Sequence, residues 1–198
     1  MARIKTIARE DLGEFTETFD KLEAAMGFIP NSLLTMAHRP KLMATFLPLA
    51  MEVLAGETSL PQGLRNLIAH IASLAAGCQY CMAHTADSSA KAGIAEEKIA
   101  AAFEYESNPL FSDAERAALG LAQSAASVPN LASDEDFAEL RLYFSEEQIV
   151  EIVGVISLFG FLNRWNDTIG TELEDHPTQF AQKPITASGW SVGKHTGD

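Results

Sequence analysis

The chain has 198 residues, of which 47% are hydrophobic and 21% are charged, which is the composition of a globular protein with a core of its own. Its 27 acidic residues outnumber its 14 lysines and arginines, so the formal net charge is -13. Nucleic acid and anionic membranes require clustered basic residues, and this charge therefore disfavours both as partners.

The pattern of apolar residues predicts helices along almost the whole chain, without the alternation that marks strands. An amphipathic helix is predicted over Asp11–Met26, and the stretch GFIPNS after it is predicted to be a turn. A second helix is predicted to begin near Pro40, and a third to run from Leu60 to about Ala76, with a proline tolerated in its first turn.

A fourth helix is predicted over Cys78–Ala92, because glycines flank it on both sides, and a fifth over Ala95–Glu106. Three later helix starts have N-capping sequences, in which a serine precedes an acid or glutamine by three residues. These are Ser112-Asp-Ala-Glu115, Ser133-Asp-Glu-Asp136 and Ser145-Glu-Glu-Gln148. The last of these predicted helices, which extends to about Glu172, is the most apolar, and we expect it in the core or in a subunit interface.

These elements predict a single all-α domain over residues 1–175, followed by an extended tail over residues 176–198. The tail contains Phe180 and Trp190. Two outcomes are open for it: docking, for example on a neighbouring subunit, or partial disorder. The N-terminal segment MARIKTIAREDLGEF has no apolar signal-peptide region, and the longest apolar run, residues 152–162, is about half of a membrane span. We expect a soluble, cytoplasmic protein.

The only two cysteines lie in the segment GCQYCMAHT, where His84 follows Cys81 by three residues and Cys81 follows Cys78 by three. On a helix this spacing places Cys81 between the other two side chains on one face. A position near a helix N-terminus favours a thiolate, and an imidazole can accept a thiol proton. The segment can therefore supply an attacking thiol, a resolving thiol and a proton handler.

Two other interpretations of the pair stay open at this point. Zinc could bind Cys78, Cys81 and His84, with His70 as the nearest fourth ligand, although the chain has no second C-x-x-C. Alternatively, both cysteines could be buried structural residues beside a surface histidine. A structural disulfide is disfavoured because the cytoplasm keeps thiols reduced.

The segment GCQYCMAHT with the preceding helix LPQGLRNLIAHIASLAA resembles the alkylhydroperoxidase D-like and carboxymuconolactone decarboxylase superfamily, in its peroxidase-related branch. Four more stretches are similar to that group: MGFIPNSLLTMAHRPKLMATF, FSDAERAALGLAQSAA, FSEEQIVEIVGVISLFGFLNRWNDTIG and GWSVGKH in the tail. The resemblance implies a helical bundle whose protomers associate through helices into dimers, trimers or hexamers.

The resemblance also implies catalytic roles. Cys81 would attack a peroxide, Cys78 would resolve the product, and His84 would join a proton relay. The family's relay usually includes a glutamate twelve residues before the first cysteine, where this chain has Asn66, which cannot take up a proton. His70, one helical turn later, would be the stand-in.

The relay also has a further candidate. Asp87, one turn after His84, could orient the imidazole, although it could equally be a solvated surface acid. Trp165, at the polar end of the most apolar predicted helix, is a candidate for a pocket wall or simply marks where that helix leaves the core.

We therefore expect a thiol peroxidase that reduces an organic hydroperoxide, with no cofactor and no metal, and with electrons from a partner dithiol. The family's other chemistry, decarboxylation of a muconolactone, would need basic groups for carboxylates, and Arg65, on the helix before the motif, is the candidate. A non-catalytic role on the same fold is the remaining alternative.

Overall fold

The structure, a computed structural model, describes residues 2–197, and its regular elements over that range are all helical. Ten α-helices occur among the described residues: α1 (Thr16–Met26), α2 (Asn31–Met36), α3 (Pro40–Ala55), α4 (Gln62–Ala75), α5 (Gln79–Lys91), α6 (Glu96–Ala100), α7 (Asp113–Ala126), α8 (Asp134–Leu140), α9 (Glu146–Ile169) and α10 (Asp175–Ala181). The all-α prediction is confirmed.

Two predicted helices are shorter than expected. Residues 9–15 form two 3-10 turns rather than the start of α1, because Gly13 has a left-handed backbone with φ of +57° and cannot continue a right-handed helix. The predicted fifth helix ends at Ala100 and continues only as a 3-10 turn over Ala102–Glu104. All three serine caps form reciprocal capping boxes, at Ser112, Ser133 and Ser145.

The core forms around α4, which packs against α5, α7 and α9. Ten consecutive residues of α4, from Leu64 to Ser73, are buried, so this helix is enclosed on nearly all sides. By length and composition alone α9 could cross a membrane; in this structure it packs against α3, α4, α5 and α7, and 39% of its apolar window is buried. A second apolar cluster joins α1, α2 and α3 to α9 through Phe19, Met36, Met43 and Leu158.

The C-terminal segment is not extended, contrary to the prediction. It forms α10 and two 3-10 turns and packs on α5 of its own chain. Trp190 is only 5% exposed, and its Nε1 donates a hydrogen bond to the carbonyl oxygen of Gln79 at 3.0 Å. The buried Trp190 side chain thus holds the segment against α5, the helix that carries the cysteines. Contact of this segment with a neighbouring subunit stays a prediction.

Candidate active site

The turn between α4 and α5 positions both cysteines. Gly77 has a left-handed backbone with φ of +71°, which redirects the chain so that Cys78 becomes the N-cap of α5. The Cys78 sulfur accepts a hydrogen bond from the backbone N–H of Cys81 at 3.5 Å. Both thiols are free and buried. The sequence spacing therefore brings the two sulfurs together at the start of one helix.

A cavity of about 480 Å³ opens beside the cysteine helix, between α1, α3, α4, α5 and α9. Most of its wall is apolar, and the side chains include Leu22, Met26, Leu33, Phe46, Leu47, Ala50, Met51, Leu54, Phe159 and Leu162. Its polar positions include Asn66, Tyr80, Cys81, His84 and Asn166. Cys81 lines this cavity and Cys78 does not, so an apolar small molecule would meet Cys81 first.

The two thiols differ in acidity and in their access to the cavity. Burial raises the pKa of Cys81 well above its ordinary value of 9.0, and the hydrogen bond to Cys78 raises it further. The pKa of Cys78 is lowered, first by the hydrogen bond from the Cys81 thiol and then, against the opposing effect of burial, by the Cys81 backbone N–H. The cavity-facing thiol is therefore protonated at rest and donates to its neighbour.

His84 also lines the cavity, where Glu174 orients its imidazole. Nε2 of His84 donates to Oε2 of Glu174 at 2.7 Å, and the Tyr80 hydroxyl donates to the other carboxylate oxygen at 2.8 Å. The Tyr80 ring stacks on His84 with 4.4 Å between ring centroids. The backbone N–H of Asn31, at the start of α2, also donates to Glu174. These contacts fix the ring of His84 in one orientation at the cavity wall.

The two residues predicted to complete the relay contact neither sulfur. Asn66 lines the cavity, but its amide donates to the Ser88 carbonyl at 2.8 Å and accepts from Gln62 at 3.1 Å. Nδ1 of His70 donates to the Thr85 hydroxyl at 2.8 Å, and that hydroxyl donates to the Cys81 carbonyl at 2.7 Å. Burial lowers the pKa of His70 to about 4, so this ring is neutral and supports the backbone of α5.

Two further expectations differ from the structure. Asp87 does not orient His84 and is not solvated: it is buried and pairs with Lys91 at 2.9 Å. Trp165 is not among the residues that line the cavity, since its Nε1 donates to Thr35 at 3.0 Å. Asn166, one residue later, is the group at the site, where its amide donates to the Cys81 sulfur at 3.4 Å.

One nitrogen of each histidine in the predicted zinc set is engaged elsewhere: Nε2 of His84 binds Glu174, and Nδ1 of His70 binds Thr85. Within residues 2–197, Cys78, Asp167 and His195 bring their ligand atoms within 4.8 Å of one another. The ammonium group of Lys194 lies 2.7 Å from Asp167 and already balances that carboxylate, so this set is weak for a cation.

Sequence reasoning missed Glu174 and His195, which come from the segment after α9. Neither lies at a helical spacing from the cysteine motif, and only the fold brings them to α5. The resemblance of GWSVGKH to a terminal motif was the one sequence signal that included His195.

Known proteins share both sequence and fold with this chain. A model described as the carboxymuconolactone decarboxylase family matches residues 40–124. The uncharacterized protein YdfG of Bacillus subtilis (strain 168) is 30% identical over 118 residues, which cover 59% of this chain and 78% of that protein.

Solved structures cover nearly the whole chain. The apo structure of the debrominase Bmp8 is 35% identical, covers 90% of this chain and 96% of its own, and superposes with a TM-score of 0.83. A cysteine-to-alanine variant of Bmp8 in complex with 2,3,4-tribromopyrrole is 34% identical over 91% and 96% of the two chains, with a TM-score of 0.84. An alkylhydroperoxidase AhpD core, a peroxidase-related protein from Ralstonia eutropha JMP134, has the same fold at 24% identity, with a TM-score of 0.82 over 92% of this chain and 97% of its own.

Proposed function

The chain belongs to the alkylhydroperoxidase D-like and carboxymuconolactone decarboxylase superfamily, and from this premise we propose that it is a thiol-dependent peroxidase that reduces an organic hydroperoxide. The observation that carries the proposal is the arrangement of the two thiols. Cys81 lies on the wall of a largely apolar cavity, and Cys78 lies directly behind it, outside the cavity. An attacking thiol needs access to substrate, whereas a resolving thiol needs access only to its partner.

In the first step, the Cys81 sulfur attacks one peroxide oxygen. A sulfur–oxygen bond forms, the oxygen–oxygen bond breaks, and the alkoxide takes up a proton and leaves as the alcohol. Because Cys81 is protonated at rest, its proton must leave before the attack. When Cys78 is a thiolate, this proton passes along the existing hydrogen bond to the Cys78 sulfur, and Cys78 enters the second step as a thiol. Asn166 donates to the Cys81 sulfur and stabilises its anion.

Glu174 supplies the carboxylate that the family's relay usually has at the position of Asn66. His84 faces the cavity with Nε2 bound to this acid, which fixes the imidazole where it can deliver a proton to the leaving alkoxide. His70 and Asn66 contribute by holding α5 and the cavity wall, which revises the roles that the resemblance implied for them.

In the second step, the Cys78 sulfur attacks the Cys81 sulfenic acid. The sulfur–hydrogen bond of Cys78 breaks as the sulfur–sulfur bond forms, the sulfur–oxygen bond breaks, and the leaving hydroxide takes up a proton to become water. A partner dithiol then returns two electrons and two protons by thiol–disulfide exchange. We place this cycle in a cytoplasmic homo-oligomer, as the family resemblance suggests.

The test is the intact mass of the reduced protein before and after one equivalent of cumene hydroperoxide, under native conditions. We expect a loss of about two mass units, which is the signature of a disulfide. Cys81→Ser should abolish any change, whereas Cys78→Ser should gain one oxygen that the sulfenic-acid reagent dimedone captures. An unchanged mass in the unsubstituted protein would refute peroxidase activity.

Reductive dehalogenation is a second candidate, because a debrominase is 35% identical over most of the chain and because the cavity is apolar enough for a halogenated aromatic ring. Here Cys81 would attack the halogen, the ring carbon would take up a proton, and Cys78 would close the disulfide and expel halide. Bromide release from a brominated pyrrole, with disulfide formation, would support it. Decarboxylation is disfavoured, since Arg65 binds Gln62 and two backbone carbonyls and does not line the cavity. Lys91 does line it, but its ammonium group is already paired with Asp87 and bound to the Met26 carbonyl.

A further inference from the structure

Beside Cys78, outside the cavity lining, lies a cluster of three residues: the buried Cys78 and His195 and the partly exposed Asp167. Its ligand-type atoms all lie within 4.8 Å of one another. His195 belongs to the last 3-10 turn of the C-terminal segment and is 0% exposed. The cluster shares no residue with the pair formed by His84, which lines the cavity, and Glu174, which binds His84.

The hydrogen bonds of His195 define which of its nitrogens can accept a proton. Nδ1 lies 2.7 Å from the carbonyl oxygen of Thr171, and because a carbonyl can only accept, Nδ1 carries the proton. In the neutral ring, Nε2 is then a bare acceptor. Nε2 is buried and has no hydrogen-bond partner among residues 2–197, which is a costly arrangement unless a donor reaches it in some state of the protein.

The charges around His195 suit a group that takes up a proton transiently. Burial lowers the pKa of His195, so the ring is neutral at rest. From α9, Oδ1 of Asp167 lies 3.8 Å from Nε2 and would stabilise an imidazolium. Lys194 binds the other oxygen of Asp167 and moderates that effect. From α5, the Cys78 thiol and the neutral Tyr80 ring face the imidazole.

We propose that His195 is the base for the resolving cysteine: its Nε2 accepts the proton of Cys78 as the Cys78 sulfur attacks Cys81. The sulfur–hydrogen bond of Cys78 breaks, the disulfide forms, and the group on the Cys81 sulfur leaves with its electron pair and takes up a proton from the cavity side. The imidazolium then releases its proton, so the net products are the disulfide and the protonated leaving group. This inference rests on the proposed function in one respect, that the two cysteines cycle through a disulfide.

The test uses a disulfide probe and therefore does not depend on peroxidase activity. With 4,4′-dithiodipyridine, Cys81 forms a mixed disulfide and releases one thiopyridone, and Cys78 then closes the protein disulfide and releases a second. The rate of the second release isolates the step assigned to His195. His195→Asn keeps a donor for Thr171 but removes the acceptor at Nε2, and exposed His38→Asn is the matched control.

We expect His195→Asn to slow the second release at least tenfold at pH 6–7, because a positioned base contributes about 10²–10⁴-fold. The rate of the first release should change less than about twofold. The slowing of the second release should decrease as the pH approaches the pKa of Cys78, because the thiolate then forms without a base. An unchanged second release, or one slowed equally at every pH, would overturn the proposal. If the protein does not react with peroxide but His195→Asn shows the expected pH dependence of the second release, only the proposed peroxidase activity would be refuted.

A measurement on the unsubstituted protein covers the case in which His195→Asn does not fold. In ¹⁵N spectra of the reduced protein, we expect Nε2 of His195 to be unprotonated and to shift in Cys78→Ala. A protonated Nε2, or a resonance that Cys78→Ala leaves in place, would contradict the assignment.

Discussion

Nε2 of His84 lies 2.7 Å from Oε2 of Glu174, although 90 residues separate the two in the chain. Both side chains are largely buried, with 14% and 10% of their surfaces exposed. The contact joins the cysteine helix α5 to the residue that precedes α10. The cavity-side acid–base pair is therefore built from two distant parts of the sequence.

Replacing Glu174 by glutamine should slow the oxidation of Cys81. The substitution keeps the size of the side chain but removes the charge that orients and polarises His84. Because a hydrogen bond to a charged group contributes about 1.5–3 kcal/mol, we expect the rate with cumene hydroperoxide at pH 7 to fall at least tenfold. Rapid-quench measurement of thiol loss checks this, with exposed Glu172→Gln as the control. A rate equal to that of the control would contradict the role of the carboxylate.

The same carboxylate should make stability depend on pH in the acid range. Burial alone would raise the pKa of Glu174, but the ring of His84 and the Asn31 backbone N–H outweigh it, and the pKa is lowered from 4.5. The folded protein then holds this proton less tightly than the unfolded chain does. The stabilisation is full above pH 4.5 and is lost as the pH falls through the lowered value.

Denaturant unfolding between pH 3 and 6 measures this effect. The free energy of unfolding of the unsubstituted protein should exceed that of Glu174→Gln by a constant amount above about pH 5, and the difference should narrow as the solution becomes more acidic. If the difference between the two free energies of unfolding grew on acidification, the expected effect of Glu174 on stability would be contradicted.

Asn166→Ala should reduce the reactivity of Cys81 without removing access to it. The substitution deletes the amide that donates to the Cys81 sulfur at 3.4 Å, a bond that lowers the pKa of this thiol against the effect of burial. One lost hydrogen bond of about 1 kcal/mol should slow attack about fivefold at pH 7 and shift the pH–rate profile upward. Alkylation of Cys81 by iodoacetamide across pH 6–10 reports both quantities, and a profile that stays in place would exclude the contact as the cause.

Filling the cavity should discriminate between substrates by size. Ala50 lies on α3 at the cavity wall, so Ala50→Trp should lower kcat/KM for cumene hydroperoxide at least tenfold while reducing the rate with hydrogen peroxide much less. Ala44→Trp is the matched control, on an exposed face of the same helix. An equal loss for both peroxides would point to damage to the fold rather than to steric exclusion.

Local patterns were sufficient to predict most of the fold. The serine caps and glycine stops define helix ends through contacts a few residues apart, which is why α7, α8 and α9 begin where predicted. The contact between the cysteines could be predicted in the same way, since the spacing of Cys78 and Cys81 on one helix brings them together.

The more distant residues around those cysteines could not be predicted from local patterns. Glu174 and His195 reach α5 only because the C-terminal segment folds back on it, anchored by Trp190. Asp87 and Asn66 had the expected helical spacing, yet Lys91 and Ser88 occupy their polar atoms. Spacing predicts which residues can face one another on a helix, but competition for hydrogen bonds decides which of them do.

Trp190 and Gln79 are bonded across 111 residues of chain, and this separation sets an order of events during synthesis. A ribosome delivers the cysteine helix several seconds before the C-terminal segment, at about 5–20 residues per second. During that interval the nascent thiols lack both Glu174 and His195. If Glu174 and His195 have the proposed roles, the chain acquires a fast dithiol only after residues 174–195 have been synthesised, and a product that terminates before them keeps its cysteines without these two groups.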